Sequence, residues 1–266
     1  MLRLISFGSG SWGNCYVLSD ETMSVIIDCG ISLRRIKRLF KDYGINQSTL
    51  RAVLITHDHT DHIKAVGKIS NEYCLPVYTT ERIHKGIQTN IRTTTKVNVA
   101  NVKKVTTDEA FCIGNFRITP FILPHDSTEN VGYSIENSDI SFTIMTDIGT
   151  PTDNVAKYIR KSTHLVIESN YDRQMLIDGK YTAILKKRIM GGNGHLSNEQ
   201  TGTALAENYH PELKKIWLCH LSEENNLPEK ALQTVTEHLN KAGIDTEKDV
   251  EIQALKRKTP SGPFFL

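Results

Sequence analysis

Residues 54–62, LITHDHTDH, place three histidines and two aspartates directly after an apolar run. His57 and His59 alternate along the chain, so in extended backbone their rings point the same way and can bind one ion. Asp61 and His62 are adjacent and must diverge, which suits a second ion. Imidazoles and a carboxylate crowded into one turn are costly unless they are paired or bound to metal. The spacing therefore predicts a site for two metal ions.

A site for two metals needs a bridging carboxylate and more imidazoles than this stretch contains. Neutral imidazoles with a carboxylate suit zinc, manganese or iron(II) better than the oxygen-only shells of calcium or magnesium do. Predicted strands repeatedly end in a histidine or an acid, and these residues are Asp28, His57, His125, Asp147, Glu168 and His220. Because rigid sheets commonly present sites at strand ends, His125, Asp147 and His220 are available to complete the metal site.

The elements that position these residues are predicted from periodicity, with alternation indicating strands and helical spacing indicating helices. The predicted strands are residues 2–7, 16–19, 24–28, 52–56, 75–80, 111–123 with a turn at Gly114 and Asn115, 131–137, 140–147, 163–169 and 214–220. The predicted helices are residues 31–44, 62–73, 195–209 and 230–243. Ser197 and Gln200 have the spacing of a capping box at the start of the third helix. Residues 86–110 are polar and receive no assignment.

Composition limits the class of protein. A chain of 266 residues predicts a single domain over residues 1–266, and the order of elements predicts two sheets packed face to face with helices outside. No apolar run approaches the length of a membrane span and the N-terminus resembles no leader, so we expect a cytoplasmic protein without a membrane partner.

The five cysteines are odd in number and form no Cys-x-x-Cys pair, which disfavours a disulfide framework and a thiolate zinc site.

A net charge of +2 is too small to attract polyanions over the whole surface, so such binding must come from local patches. The basic runs are Arg34, Arg35, Lys37 and Arg38, then Lys186, Lys187 and Arg188, and then Lys256, Arg257 and Lys258. Each run taken alone is more typical of a solvated face than of a binding surface. The stretch GSGSWGN is either a tight turn or a backbone-lined wall of a pocket.

The metal-binding residues resemble the metallo-β-lactamase superfamily, whose signature His-x-His-x-Asp-His is matched in full by His57, His59, Asp61 and His62. Further residues follow in the order that superfamily uses, namely Asp28, His125, Asp147 and His220 in the stretches IIDCG, LPHD, MTDIG and LCHLS. The resemblance implies an α/β fold, a four-layer αββα sandwich of mixed sheets with the metals at one edge.

The resemblance also implies two sets of ligands with one shared residue. The first divalent ion would be bound by His57, His59 and His125. The second would be bound by Asp61, His62 and His220. Asp147 would bridge the two ions, for which zinc and manganese both suit this ligand set. Asp28 looks like a residue that supports the ligands from behind and does not itself bind metal.

Within the superfamily the chain resembles the phosphodiesterase branch that includes tRNase Z and RNase J. The opening FGSGSWGNC, Glu168 in VIESNYD and His195 in GHLSNEQ carry this resemblance. In that branch a histidine like His195 acts near the leaving oxygen and an acid like Glu168 orients it. An alkoxide leaving group needs a proton, which an imidazolium held by a carboxylate can give. The predicted catalytic residues are His195, Glu168 and the ligand Asp61.

The chain most resembles the YycJ (WalJ) family, which shares SGSxGN, THxHxDH, ESNxD, GHxSNE and HLSxxNN in this order. That family is regarded as DNA-directed, with 5′ to 3′ exonuclease activity on double strands. The resemblance thus implies a dinuclear metal-dependent phosphodiesterase whose partner is nucleic acid, with DNA expected.

Three alternatives differ in class. An acyl hydrolase of a lactone or thioester, like glyoxalase II, shares the first metal motif, but acyl chemistry does not need the acid that Glu168 and His195 would supply. An RNA-processing nuclease related to tRNase Z would carry an Arg-Tyr and a long arm, whereas LSEENN follows His220 here. A non-catalytic binding protein on the same fold is disfavoured by the complete ligand set.

Overall fold

The computed structural model describes residues 1–266, which form two compact units. The first unit comprises Met1–Asn115, Ser127–Glu129 and Lys256–Leu266, and the second comprises Phe116–Asp126 and Asn130–Leu255. No helix along these residues combines the length and the apolar character needed to cross a membrane.

The first unit contains a mixed sheet. Its strands are β1 (Arg3–Gly8), β2 (Cys15–Ser19), β3 (Ser24–Ile27), β4 (Leu50–Leu54), β5 (Val77–Thr79), β6 (Val102–Lys104) and, at the end of the chain, β14 (Ser261–Phe265). Their order is β14-β1-β2-β3-β4-β5-β6, antiparallel as far as β3 and parallel from β3 onward. The short strand β7 (Phe111–Ile113) also lies in this unit, and the Phe111 ring stacks on Tyr78 with 5.1 Å between centroids.

Four helices accompany this sheet, namely α1 (Leu33–Asp42), α2 (Thr60–Ile63), α3 (Val66–Tyr73) and α4 (Glu81–Thr89). The basic helix α1 buries Ile36, Leu39 and Phe40 on one face, and the Phe40 ring lies 5.9 Å from that of Phe7 in β1. Burying an aromatic or aliphatic side chain of this size contributes about 1.5–3 kcal/mol, so this face holds the helix on the sheet.

The second unit repeats the same plan. Its strands are β8 (Phe116–Ile122), β9 (Val131–Asn137), β10 (Ile140–Met145), β11 (His164–Glu168), β12 (Lys215–Cys219) and β13 (Glu251–Ala254). Strands β8, β9 and β10 are antiparallel, and β10, β11, β12 and β13 are parallel. The helices are α5 (Asp153–Ile159), α6 (Arg173–Asp178), α7 (Ala183–Ile189), α8 (Asn198–Asn208) and α9 (Pro228–Lys241). A core that includes Phe121, Leu205 and Leu239 joins the sheet to α8 and α9.

The structure departs from the sequence-based prediction in several places. The prediction missed helices α4 to α7 and strands β6, β13 and β14. The single helix predicted over residues 62–73 is two helices, α2 and α3, because the Ala65 N–H donates to the Cys29 carbonyl at 2.8 Å and leaves the helical pattern there. The unassigned residues 86–110 contain the end of α4 and the short strand β6. Sequence periodicity does not reveal β6, since a three-residue strand offers too few alternations.

Candidate active site

The ligand-rich stretch of the first unit follows strand β4 and runs into helix α2. Its rings are close together, with 4.7 Å between the centroids of His57 and His59 and 4.0 Å between those of His57 and His62. The Asp61 Oδ2 atom lies 3.7 Å from His62 Nε2. His57 and His62 are fully buried, which leaves their ring nitrogens dependent on partners inside the protein.

Asp28 supports this stretch from behind. Its carboxylate is fully buried and lies 2.7 Å from His62 Nδ1. It also accepts hydrogen bonds from the Thr56 backbone N–H at 2.9 Å and from the Thr56 hydroxyl at 2.9 Å. Because a carboxylate accepts hydrogen bonds, Nδ1 of His62 carries the ring proton and Nε2 keeps the lone pair that a metal needs. Asp28 therefore lies behind His62, and its support of a metal ligand stays a prediction.

Asn14 is a site residue that the sequence-based reasoning did not identify. Its side-chain amide lies 2.8 Å from His62 Nε2, and its backbone N–H donates to the Asp61 carbonyl at 2.7 Å. Gly30 packs so closely that a Cβ there would lie 1.5 Å from the Asp61 carbonyl oxygen. The stretch GSGSWGN thus packs against the loop that carries Asp61 and His62. The asparagine that ends this stretch was the sequence feature from which Asn14 could have been identified.

In the second unit, neighbouring parallel strands bring three distant residues together. Asp147, Glu168 and His220 lie at the carboxyl ends of β10, β11 and β12. The His220 Nδ1 atom lies 3.4 Å from Asp147 Oδ1 and 2.9 Å from Glu168 Oε1, while His125 Nε2 lies 3.6 Å from Asp147 Oδ1. Asp147 and His220 both adopt positive φ, of 57° and 53°, a conformation uncommon outside glycine that concentrates at functional sites.

His195 reaches the same cluster from the loop before α8. Its Nδ1 atom lies 2.8 Å from Glu168 Oε1, and the other Glu168 oxygen accepts from the backbone N–H groups of Ile148 at 2.8 Å and Leu196 at 3.0 Å. The loop is held because the Asn170 N–H donates to the Leu196 carbonyl at 2.9 Å. His195 keeps 19% of its side chain exposed while Glu168 is fully buried, so the histidine is the member of the pair that solvent or substrate can reach.

The pair has opposite pKa shifts. Burial by itself would lower the pKa of His195, but the Glu168 carboxylate and then Asp147 hold it above the ordinary value. Burial by itself would raise the pKa of Glu168, but the charge of His195 and the hydrogen bonds from His195 and His220 hold it below the ordinary value. Both shifts favour an imidazolium beside a carboxylate.

The donor set of each unit fits a divalent metal ion. His125 donates from Nδ1 to the Gly194 carbonyl at 2.9 Å, so its Nε2 keeps a lone pair, as in His62. In the second unit Asp147, Glu168, His195 and His220 each offer one nitrogen or oxygen donor atom, and these four atoms all lie within 4.8 Å of one another. Imidazole nitrogens oriented by hydrogen bonds to oxygen, together with carboxylates, are the donors that zinc and manganese accept.

Comparison with known proteins agrees with this chemistry. Residues 24–220 match the family described as the β-lactamase superfamily domain. The chain is 32% identical to the exodeoxyribonuclease YycJ of Bacillus anthracis, over 98% of this chain and 97% of that protein. It is also 32% identical to the exodeoxyribonuclease WalJ of Streptococcus pneumoniae, over 92% of this chain and 90% of that protein.

A solved structure confirms the fold. The metallo-β-lactamase fold protein YhfI of Bacillus subtilis superposes with a TM-score of 0.72 at 16% identity, covering 98% of both chains. The predicted metallo-β-lactamase fold, with two mixed sheets flanked by helices, is confirmed. Together with the ligand-rich clusters, the comparisons show a metal-dependent hydrolase that uses divalent metal. The chain belongs to the metallo-β-lactamase superfamily and, within its nuclease branch, to the YycJ/WalJ family.

Proposed function

We propose that this protein is a dinuclear metal-dependent phosphodiesterase that degrades double-stranded DNA from the 5′ end toward the 3′ end. The observation that carries the proposal is the hydrogen bond of 2.8 Å between His195 Nδ1 and the buried carboxylate of Glu168. A charged imidazole held in this way suits protonation of an alkoxide leaving group. The names of the YycJ and WalJ relatives support DNA as the substrate. The whole of residues 1–266 acts as one domain, in the cytoplasm.

The ligand assignment is also part of the proposal. His57, His59 and His125 would hold one divalent ion, zinc or manganese. Asp61, His62 and His220 would hold a second, and Asp147 would be shared between the two sets. When bound, two such ions would neutralise charge on a phosphodiester and lower the pKa of a water nucleophile. The support for this assignment is the family membership and the donor atoms described above.

The protein's own residues supply the acid. Because Nδ1 of His195 donates to Glu168, the transferable proton of the imidazolium is on Nε2, where it can reach the leaving oxygen. Glu168 fixes the ring orientation and, by raising the pKa of His195, keeps the ring protonated over a wider pH range. Asp61, whose side chain is 26% exposed, lies beside the fully buried His62 and would hold the metal ion that positions the phosphodiester.

The experiment is digestion of duplex and single-stranded DNA labelled at either end, with RNA and a thioester in parallel, in added manganese or zinc. We expect early release of the 5′ label from duplex DNA. Asp61→Ala is the inactive blank, and Asp139→Ala is the matched control because it makes the same change in an exposed hairpin turn. Thioester cleavage without DNA loss would overturn the proposal in favour of an acyl hydrolase, and release of the 3′ label first would overturn the polarity.

A further inference from the structure

Trp12 is an exposed aromatic side chain on a rigid turn. Its side chain is 65% exposed, whereas the protein's other tryptophan, Trp217, is fully buried. The turn is closed by hydrogen bonds from the Gly13 N–H to the Gly10 carbonyl at 2.8 Å and from the Gly10 N–H to the Asn14 side chain at 2.9 Å. An exposed aromatic ring held by a closed turn offers a flat apolar surface on which a nucleic acid base can stack.

Two basic runs that are far apart in the sequence meet through Arg35 and Lys258, and Lys258 lies at this ring. The Lys258 ammonium lies 4.3 Å from the centre of the Trp12 ring. The Arg35 guanidinium donates to the Phe7 carbonyl at 3.3 Å and also to the Lys258 carbonyl, and the Ser9 N–H donates to the Arg257 carbonyl at 3.1 Å. The side chains of this Trp12 patch are Trp12, Arg34, Arg35, Arg38, Lys256, Arg257 and Lys258. The patch has an acidic neighbour, Asp42, whose Oδ2 atom lies 3.9 Å from Arg38 Nε.

The patch contains a cavity suited to a phosphate group. A volume of about 260 Å³ is lined by Ser32, Arg34, Arg35 and Arg38. One water molecule occupies about 30 Å³ in the liquid, so the cavity has room for a phosphodiester and some of its water. Guanidinium groups match phosphate oxygens in geometry as well as charge. A hydroxyl and three guanidinium groups around one concave surface are therefore suited to bind an anion.

The patch also lies beside the candidate active site. The Asn14 N–H, two residues after Trp12, donates to the carbonyl of Asp61 at 2.7 Å. The turn that carries Trp12 is thus joined directly to the loop that carries Asp61. Stacking on a single aromatic ring needs a base with one open face, and within a duplex only the terminal base pair offers one. A ring beside a phosphate-binding cavity is suited to the end of a nucleic acid strand.

We propose that the Trp12 patch binds the end of the nucleic acid substrate, with Trp12 stacked on the terminal base and the arginines of the cavity on the backbone phosphates. The inference rests on the proposed nuclease function. In this proposal a surface outside the predicted ligand residues recognises the end of the strand. This recognition would make cleavage begin at an end.

Binding is measured in the Asp61→Ala background, so that no DNA is consumed, by titrating blunt duplex DNA and covalently closed circular DNA. We expect the duplex to quench the fluorescence of Trp12 and to bind more tightly than the circle. Trp12→Phe should lose the quench but keep the affinity. Since stacking of a base on an aromatic ring is worth about 1–3 kcal/mol, Trp12→Ala should weaken duplex binding by about 5-fold to 150-fold. Ile91→Ala, at a side chain 93% exposed, is the matched control and should leave binding unchanged.

The arginines are tested by salt dependence. Replacing both Arg34 and Arg38 by alanine should lower the slope of log K against log salt by about 2, one for each lost phosphate contact. Unchanged affinity for duplex ends in Trp12→Ala, or an unchanged salt slope in the double variant, would overturn the inference. If those variants behave as wild type while wild-type protein still degrades DNA, the inference fails and the nuclease proposal stands. If wild-type protein neither binds nor degrades DNA, both fail.

Discussion

The two units share a strand arrangement but use it differently. In each sheet an antiparallel half changes to a parallel half at one strand, β3 in the first unit and β10 in the second. An aspartate in the left-handed conformation follows each of these strands, Asp28 with φ 58° and Asp147 with φ 57°. Such a residue turns the chain sharply at the strand end. Both units therefore place a carboxylate at the carboxyl end of the strand where parallel pairing begins.

The surroundings of the two aspartates differ. Asp28 receives hydrogen bonds from Thr56 and His62 Nδ1 and lies behind the histidine. Asp147 has three ring nitrogens around one oxygen, those of His220 at 3.4 Å, His125 at 3.6 Å and His195 at 3.8 Å. The same backbone position thus yields a supporting acid in one unit and an acid among ring nitrogens in the other. The neighbouring side chains, and not the strand end, decide the role.

The largest expected effect is at Asp147. Asp147→Asn keeps the shape but removes the charge that two divalent ions would share, so we expect turnover at the level of the Asp61→Ala blank. Release of labelled nucleotides from duplex DNA measures it, and circular dichroism checks the fold. Activity close to wild type in excess metal would show that Asp147 supports its neighbours as Asp28 does, and would remove the distinction between the two units.

The next effect is at His195. His195→Gln removes the proton donor while leaving the predicted ligands in place, so we expect the rate to fall by about 10²–10⁴ with metal content unchanged. Metal content by elemental analysis, beside single-turnover rates, separates the two roles. Loss of metal would make His195 a ligand, in which case the cluster of the second unit holds metal through a residue outside the predicted set.

A smaller effect is expected at Asp28. Asp28→Asn weakens the orientation of His62, and loss of such a supporting carboxylate costs about 10–100-fold in metal affinity. Turnover should therefore recover when metal is added in excess, which distinguishes this variant from Asp147→Asn. A rate that stays at the blank level in saturating metal would contradict the supporting role.

The smallest effect is on stability and lies at the opposite end of β11 from Glu168. Burial and then the charge of Lys215 lower the pKa of His164 to about 4, from an ordinary value of 6.5. Between these pH values the unfolded chain binds a proton that the native protein does not, so stability present above pH 6.5 is lost as the pH falls toward 4. In urea unfolding, His164→Gln should lose less stability than wild type between pH 7 and pH 5. An equal loss in both proteins would show that His164 is not the responsible group.

Prediction from the sequence succeeded where the determinants are local. The hairpin of β9 and β10 lies where the polar turn at Asn137 and Asp139 indicated. The capping box of Ser197 and Gln200 is formed at the start of α8, because both of its hydrogen bonds lie within four residues. Prediction failed where a contact far along the chain intervenes, as when Cys29 receives the N–H of Ala65 and ends α2.

The candidate site likewise contains some features that follow from local sequence and others that depend on contacts between distant residues. The spacing of His57, His59, Asp61 and His62 by itself determined that donor atoms crowd in the first unit, since a loop of six residues cannot separate them. The hydrogen bond from the Asn14 backbone N–H to the Asp61 carbonyl was decided only by tertiary structure, since the turn that carries Asn14 had to fold against the loop.

Asp147, Glu168 and His220 were identifiable as strand ends in the sequence, but nothing in their spacing determined that they would be neighbours. The parallel pairing of β10, β11 and β12 decided that, because it brings the carboxyl ends of adjacent strands to one edge of the sheet. The opposite pKa shifts of Glu168 and His195 follow from the same folding, since burial and a fixed partner act on a carboxylate and an imidazole only once the strands have brought them together.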